Sequence, residues 1–363
     1  MNNKFRKGKK LLYPAALLQV FGLIMLRIAK LQMWLRESNG QIYLRRWHGR
    51  LGNNIIQIAH AEMLSQRLGL PLSFPQHPFL SVEAIGSIHP TNNGHCNNIG
   101  VATPKVLLRD LLSPTQARPE CGKFLLRCFY FSYDVFPLVP KLADYRRILR
   151  ARVLPLLPYR KNASMAEDTL VIHVRSGDIF SKRPHPGLLP PPLSFYLEVI
   201  EKFGFSKIVV VAEDAENLCV AQLRRLIPGV RVQSSSLAED INVMLNAKNL
   251  ISSGSSLSLS IAFASPNLCR LFVPQFKVQR RYWRTLFWPR LFRLAFMSSR
   301  QAEPHHLDFD FIPFAIENYV LMGEWKNSPS QRQLLIHHDR RDIVFAGAKP
   351  FSVVQQSGST DCR

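Results

Sequence analysis

An α/β fold built on a mostly parallel sheet is predicted by three observations. Apolar runs of strand length, TLVIHV (169–174), KIVVVA (207–212) and NLISS (249–253), recur through the second half of the chain. The first two are rich in β-branched residues, and the third runs into a Ser-Gly turn. Between them lie segments of helical periodicity long enough to act as crossovers, which makes parallel pairing the expected arrangement. The regular part, about 165–275, is expected to be a Rossmann-like half, and the less regular part before it a second α/β half.

The chain has 363 residues, 47% apolar and 20% charged, enough for one large or two medium cores and unlike a disordered composition. Its 47 Lys and Arg against 25 Asp and Glu give a formal charge of +22. That balance favours an anionic partner: nucleic acid, a phosphate-bearing substrate or a membrane surface. The excess is uneven, with eleven basic residues and one acid, Glu37, in the first 50.

MNNKFRKGKK precedes an apolar run over 11–26, whose one strongly polar side chain is Gln19. A spanning helix needs about 20 predominantly apolar residues. The run reaches that length only by continuing to Trp34, with Arg27 and Lys30 snorkelling. Lys4, Arg6, Lys7, Lys9 and Lys10 would hold the tail in the cytosol and set the body in a lumen, as in a type II signal-anchor. A surface-lying or buried amphipathic helix and a cleaved signal are the alternatives, the last poorly served by the cleavage stretch Ser38–Gly40. A lumenal body would suit the sequon Asn162-Ala163-Ser164.

The elements follow in order. Trp47 to Leu70 is a glycine turn entering a helix, with Ile55, Ile58, Ala59 and Met63 at helical spacing and Gly69 and Pro71 ending it. From there to about 125 the chain is rich in Pro, Asn and Gly, which predicts irregular loops with short strands. A helix is expected around 142–153, between Pro140 and Pro155. After TLVIHV come a helix in PPLSFYLEVIEKFG (191–204), the KIVVVA strand, a helix in AENLCVAQLRRLI (215–227) and the strand VRVQ (230–233). A helix over 240–247, the NLISS strand, a helix over 256–264 and a strand in LCRLFVP (268–274) complete the pattern.

Residues 275–300 hold seven basic residues, four phenylalanines, two tryptophans and no acid. This is a membrane-lying face or a helix packed back on the core. A nucleic-acid stripe is not expected, because no finger, RNA-recognition sheet or helix-turn-helix accompanies it. The segment from Ser328 is polar and expected to fray near its end. The six cysteines show no C-x-x-C spacing, so no metal site is expected; Cys121 with Cys128 is the most plausible local disulfide, and Cys219 and Cys269 are expected in a core.

The candidate site lies where strands end, since ligands of open α/β sheets bind outside the carboxyl ends of the strands. In VIHVRSGDIF (171–180), His173 and Arg175 share one side of the strand and Val174 faces the other. Gly177 permits a tight turn before Asp178. Arg175 has the forked donors to grip a phosphate, and Asp178 the charge to hold it in place; a structural Arg175–Asp178 salt bridge is the alternative.

HVRSGD resembles the H-x-R-x-G-D signature of the GDP-fucose-dependent fucosyltransferase superfamily, closest in pattern to its α1,2 type. Three further segments match in order: GRLGNNIIQIA (49–59), LPPPLSFYLEVIEKF with IVVVAED, and DINVMLNAKNLISSGSSLSLSIAFAS (240–265). Together they cover Gly49 to about Phe276. The chain departs from that pattern at Asn54, at Ser176 in place of a second basic residue, and in the lack of a Trp-containing continuation after the serine-rich turn.

The resemblance implies a GT-B-type glycosyltransferase with two Rossmann-like halves and an N-terminal hydrophobic segment. Residues 1–40 would be the basic tail and candidate anchor, 41–160 the acceptor-side half, 161–275 the nucleotide-sugar-binding half and 276–363 a basic-aromatic helical extension and tail. It implies inverting, metal-independent transfer of fucose from GDP-fucose, the donor substrate, to a glycan hydroxyl, with no cofactor. Arg175 would stabilise the departing diphosphate, with His173 and Asp178 orienting the site. Asn53 and Gly52, with Gly49, would approach the donor, Asp240 would read the guanine, and Ser255 and Ser256 would bind phosphate at a helix start unless they are only caps. Glu213 and Asp214 would touch the nucleoside or cap the next helix. A Golgi or other secretory-pathway membrane is the implied place in a eukaryote, and a membrane-associated or cytoplasmic one otherwise. A related nucleotide sugar and a noncatalytic glycan-binding role are the alternative functions.

Overall fold

The computed structural model describes residues 42–44, 46–68, 71–89, 124–126, 142–161, 165–184, 189–277, 308–319 and 325–345. The candidate anchor, the sequon and the basic-aromatic stretch beyond Lys277 lie outside them. Among the described residues no helix is long and apolar enough to cross a membrane.

The first half holds β1 (Ile42–Leu44), helix α1 (Leu51–Leu68), β2 (Leu72–Pro75), β3 (Ser87–His89) and β4 (Phe124–Leu126). These strands form a parallel sheet in the order β3-β2-β1-β4. Helix α2 (Leu142–Ile148) continues through a π-helical turn, Leu149–Val153, into a 3-10 turn, Leu154–Leu156, where Pro155 ends the α-helical pattern.

The second half holds β5 (Thr169–Val174), α3 (Leu193–Phe203), β6 (Lys207–Ala212), α4 (Leu218–Leu226), β7 (Arg231–Gln233), α5 (Leu237–Leu245), β8 (Asn249–Ile251), α6 (Ser256–Ala264) and β9 (Arg270–Phe276). The sheet does not stop at residue 276. β10 (Asp310–Ile316) pairs parallel with β9, and after helix α7 (Pro329–His337) the strand β11 (Ile343–Phe345) closes the edge antiparallel to β10. The order is β11-β10-β9-β8-β5-β6-β7. The expected segment boundary at 275 misses β10 because Pro313 sits inside it, a residue that argues against a central strand.

Both sheets change winding direction beside one strand. The chain lays β2 and β3 on one side of β1 and β4 on the other; it lays β6 and β7 on one side of β5 and β8 on the other. The loops after β1 and β5 therefore emerge at topological switch points, where a crevice opens.

Strand alternation divides the core. Val171 joins an apolar cluster that also takes in the first half, α5 and α6, whereas Leu170, Ile172 and Val174 join the cluster under α3, α4 and α7. Each fully buried side chain of this size contributes about 1.5–3 kcal/mol. His173 has the parity of Val171 and so faces the first half. Helix α6 is buried almost all round, and its carbonyl end is held by Arg146, which donates to the backbone oxygens of Ala262, Phe263 and Ser265 at 2.9–3.0 Å. A cation at a helix carboxyl end also opposes the helix dipole.

Cys219 is buried and free, as expected of a core residue. Cys269 is instead disulfide-bonded. It lies just before β9, partly exposed, next to the buried Leu268. The remaining cysteines, including the expected pair Cys121 and Cys128, lie outside the described residues.

Candidate functional site

The loop after β1 is shaped by a relay of side chains from α1. Gln57 Oε1 accepts from His48 N at 3.0 Å while its Nε2 donates to Arg46 O at 3.2 Å. Asn54 Nδ2 donates to His48 O at 3.0 Å, and Asn54 Oδ1 takes the proton of His77 Nε2 at 3.1 Å. That tautomer follows from His77 Nδ1, which accepts from the amides of Phe79 and Leu80 at 3.0 and 2.9 Å. Asn54, the departure from the resembled pattern, is thus a builder of the loop that presents Gly49 and Arg50.

Gly49 adopts φ +70°, and Asn53 Nδ2 lies 2.2 Å from where its Cβ would be. The Asn53 side chain therefore folds over Gly49 at the start of α1. Gly52 makes a different close approach from the one the resemblance implies. Its Cβ position lies 2.2 Å from Leu257 N, so Gly52 lets the first turns of α1 and α6 touch backbone to backbone. Asn53 is carried by that contact to the N-terminal end of α6.

The loop after β5 is fixed from three directions. His173 Nδ1 hydrogen-bonds Ser253 Oγ at 2.8 Å, tying the end of β5 to the end of β8 across the switch point. Burial first, then the charges of Arg175 and Arg50, push the His173 imidazole down to about 3, so it is neutral at pH 7. Arg175 Nη2 donates to Asp178 Oδ2 at 2.9 Å and its Nε lies 3.4 Å from Oδ1, leaving Nη1 free of that pair. Gly177 at φ +64° brings the turn so close to Glu213 that a Cβ would lie 2.7 Å from Oε2.

Ser176 points away from the crevice. It is buried, its hydroxyl donates to Asp214 Oδ1 and accepts from Asn217 N at 3.0 Å. Asn217 Nδ2 in turn donates to Arg175 O at 2.9 Å, and its Oδ1 caps α4 at Cys219 N. Asp214 is therefore engaged in the strand-end loop. Glu213 reaches across to the other half, where Arg50 Nη1 and Nη2 meet its two oxygens at 2.9 and 2.6 Å. Arg50 also lies 3.8 Å from Asp178. The result is a ladder Arg175–Asp178–Arg50–Glu213 joining the two switch-point loops.

The serine-rich turn after β8 is internally satisfied. Ser255 Oγ caps α6 at Ser258 N at 3.1 Å, Ser252 and Ser258 share a 2.7 Å bond, and Gly254 supplies the turn at φ +77°. Ser255 is thus a cap, while Ser256 occupies the first helical position beside the Gly52 contact. Asp240 stands apart from this group, in the first turn of α5 beyond β7. Gln233 Nε2 and Ser235 Oγ donate to its Oδ1 at 3.3 and 3.4 Å, and burial raises its carboxyl above the ordinary range.

The structure therefore joins His173 to Ser253, Arg175 to Asp178 and Arg50, and Gly52, next to Asn53, to Ser256 and Leu257, whereas Asp240 bonds Gln233 and Ser235 apart from them. Sequence reasoning missed Arg50, whose partner Glu213 is 163 positions away. It also missed the brace behind the 177–180 turn: Trp325 Nε1 donates to Ile179 O at 2.6 Å, its ring meets Phe180 edge-on at 5.7 Å, and Asn327 Nδ2 donates to Phe180 O at 2.7 Å. Among the described residues no three His, Cys, Asp or Glu side chains cluster as metal ligands.

No protein-family model matches the chain, and no curated protein matches it either. Among solved structures, it is similar to the fucosyltransferase NodZ from Bradyrhizobium at 14% identity and a TM-score of 0.38, over 64% of this chain and 96% of that one. It is similar to Arabidopsis thaliana FUT1 in complex with GDP at 11% identity and a TM-score of 0.40, over 76% and 81%. Similarity to the Escherichia coli heptosyltransferase WaaC with ADP stands at 11% identity and a TM-score of 0.32, over 66% and 88%.

Proposed function

We infer that the chain is a glycosyltransferase of GT-B type that moves fucose from GDP-fucose to a hydroxyl of a glycan acceptor, with inversion and without a metal. The observation that supports this reading is the convergence on one switch point of Arg175, the His173–Ser253 pair and the N-terminal end of α6, faced by Asn53 and Arg50 from the other half. In the reaction the acceptor oxygen attacks C1 of the fucose from the face opposite GDP. The acceptor O–C1 bond forms as the C1–O bond to GDP breaks, GDP leaves with the electron pair, and the proton of the acceptor hydroxyl passes to solvent.

The charge developing on the β-phosphate is met by preorganised donors. Asp178 holds Arg175 by Nε and one Nη2, which fixes the guanidinium plane and leaves the Nη1 hydrogens for a phosphate oxygen. The positive end of α6 adds to this field. His173, neutral at pH 7, acts as a positioning residue through Ser253. Asn53 would reach the donor from α1, and Asp240 would accept from the guanine N1 and N2 donors at the β7 side.

A donor with another base is the second reading, favoured by the burial of the Asp240 carboxylate under Gln233 and Ser235. A lumenal body behind a type II anchor is part of the same reading, supported by the basic tail and the apolar run over 11–26. The test is a panel of GDP-, UDP- and ADP-sugars with glycan acceptors, reading both glycosylated product and nucleotide release. GDP-fucose is expected to turn over, and Arg175→Ala to lower turnover about 10²–10³-fold with the urea midpoint little changed. Turnover with UDP-sugars alone would replace the donor; no turnover with any donor, alongside glycan binding, would replace the enzyme reading with a lectin-like one.

A further inference from the structure

Arg175 is held at both ends, its guanidinium by Asp178 and its backbone by the start of α4. Asn217, the N-cap of that helix, is 0% exposed, a place where a polar side chain has to be paired. Its Oδ1 accepts from Cys219 N at 2.9 Å, its Nδ2 donates to Arg175 O at 2.9 Å, and its backbone N–H donates to Ser176 Oγ at 3.0 Å. Oδ1 faces a donor and Nδ2 an acceptor, so the amide has a single orientation.

Capping α4 requires only the first of these bonds, and an aspartate or serine would cap the helix as well. The amide nitrogen is needed for the second, which reaches 42 positions back along the chain to the strand-end carbonyl of Arg175. Ser176 completes the joint: 1% exposed, it donates to Asp214 Oδ1, which also accepts from Glu216 N at 2.9 Å. From this tie the chain passes through the extended Ser176 and the left-handed Gly177 into the turn that carries Asp178. Arg175 and Asp178 therefore sit on one short loop, and the bond between them cannot fix that loop to the body. Trp325 and Asn327 hold its far end at Ile179 and Phe180. Asn217 holds its near end to α4, which is anchored in the core by Cys219, Val220 and Leu223.

We propose that Asn217 is a positioning residue for Arg175: its side-chain amide fixes the peptide from which the arginine departs, and so aims the guanidinium at the leaving diphosphate. This inference rests on the reading of Arg175 as the phosphate grip. Asn217 itself is buried behind the loop and acts only through Arg175.

The test is a double-mutant cycle on the full-length chain, run with the donor that turns over. Asn217→Ser keeps a capping oxygen and deletes the amide. A displaced group that acts in the transition state can cost about 10²-fold, so this variant is expected to lower kcat by about 10-fold or more with KM little changed. In a chain already carrying Arg175→Ala it is expected to have no further effect. Asn217→Asp, of the same shape but with an oxygen turned to Arg175 O, is expected to behave alike. Val220→Ala loosens α4 from the core without touching Arg175, and is expected to keep kcat. Amide hydrogen exchange over 176–180 needs no donor: it is expected to quicken in Asn217→Ser and to stay unchanged in Val220→Ala. If no nucleotide sugar turns over in the parent chain, the donor reading falls and exchange alone decides the tether. An equal loss of kcat from Asn217→Ser with and without Arg175, a loss matched by Val220→Ala, or unchanged exchange over 176–180 overturns the proposal.

Discussion

Replacing Gly52 by alanine would insert one carbon where α1 and α6 meet. The new Cβ would lie 2.2 Å from Leu257 N, 2.5 Å from Leu257 Cα and 2.6 Å from the Ser256 carbonyl carbon. Favourable carbon separations are about 3.5–4.0 Å, so the helices must part by on the order of 1 Å. All three atoms are backbone, and no rotamer change can absorb the overlap. In an isolated helix the same substitution stabilises by up to about 1 kcal/mol. Overpacking of this kind costs about 1–3 kcal/mol, so the expected net is a destabilisation of about 1–2 kcal/mol, opposite in sign to propensity. Urea unfolding would show it as a lower midpoint at constant slope. Parting the helices would also pull Arg50 from Glu213 and Asn53 from the α6 end, so product formation should fall further than stability does. A Gly52→Ala chain as stable as the parent and fully active would refute the reasoning.

His173 makes stability depend on pH with a definite sign. The unfolded imidazole takes up a proton near 6.5, whereas the native one refuses it until about 3, so stability rises with pH between those values and is flat above them. The slope from this group is about 1.4 kcal/mol per pH unit, and His173→Gln should remove it in urea titrations run from about pH 4 to 7. Trp325→Ala should cost about 3–5 kcal/mol and lower turnover by loosening the 177–180 turn, even though Trp325 is braced behind that turn; unchanged turnover in a folded variant would sink the brace argument. The Arg50–Glu213 pair, with side chains 59% and 47% exposed, should matter little to stability. Glu213→Gln is expected to cost under about 1 kcal/mol, less in high salt; a loss well above that would show the pair to be more desolvated than its exposure implies.

Legibility followed distance along the chain. TLVIHV, KIVVVA and the helix over 256–264 stand where their periodicity places them, because burial of alternate or i, i+4 side chains is a local signal. Helix α5 begins at Leu237, three residues before the expected Asp240, because the Ser236 side chain caps it at Glu239 N. The strand β1 escaped notice because three residues are too few to show a period. In the candidate site, Arg175, Asp178 and the strand-end serines were visible as polar residues following apolar runs. Arg50, Ser253 as the partner of His173, and Trp325 were not, since each acquires meaning only from a residue at least 80 positions away.

Local chemistry in the chain sets which residues line the strand ends: a β-branched run stopped by His173 and Arg175, a glycine turn at 177, a serine cap before α6. Only the tertiary fold decides what those groups do. Parallel pairing of β5 with β8 sets His173 against Ser253, and the backbone contact at Gly52 sets the first half against α6. The same folding turns Ser176 inward to Asp214 while Arg175 keeps a free edge. Secondary structure is written in neighbours along the chain, whereas a crevice between two sheets is written in pairs that only packing brings together.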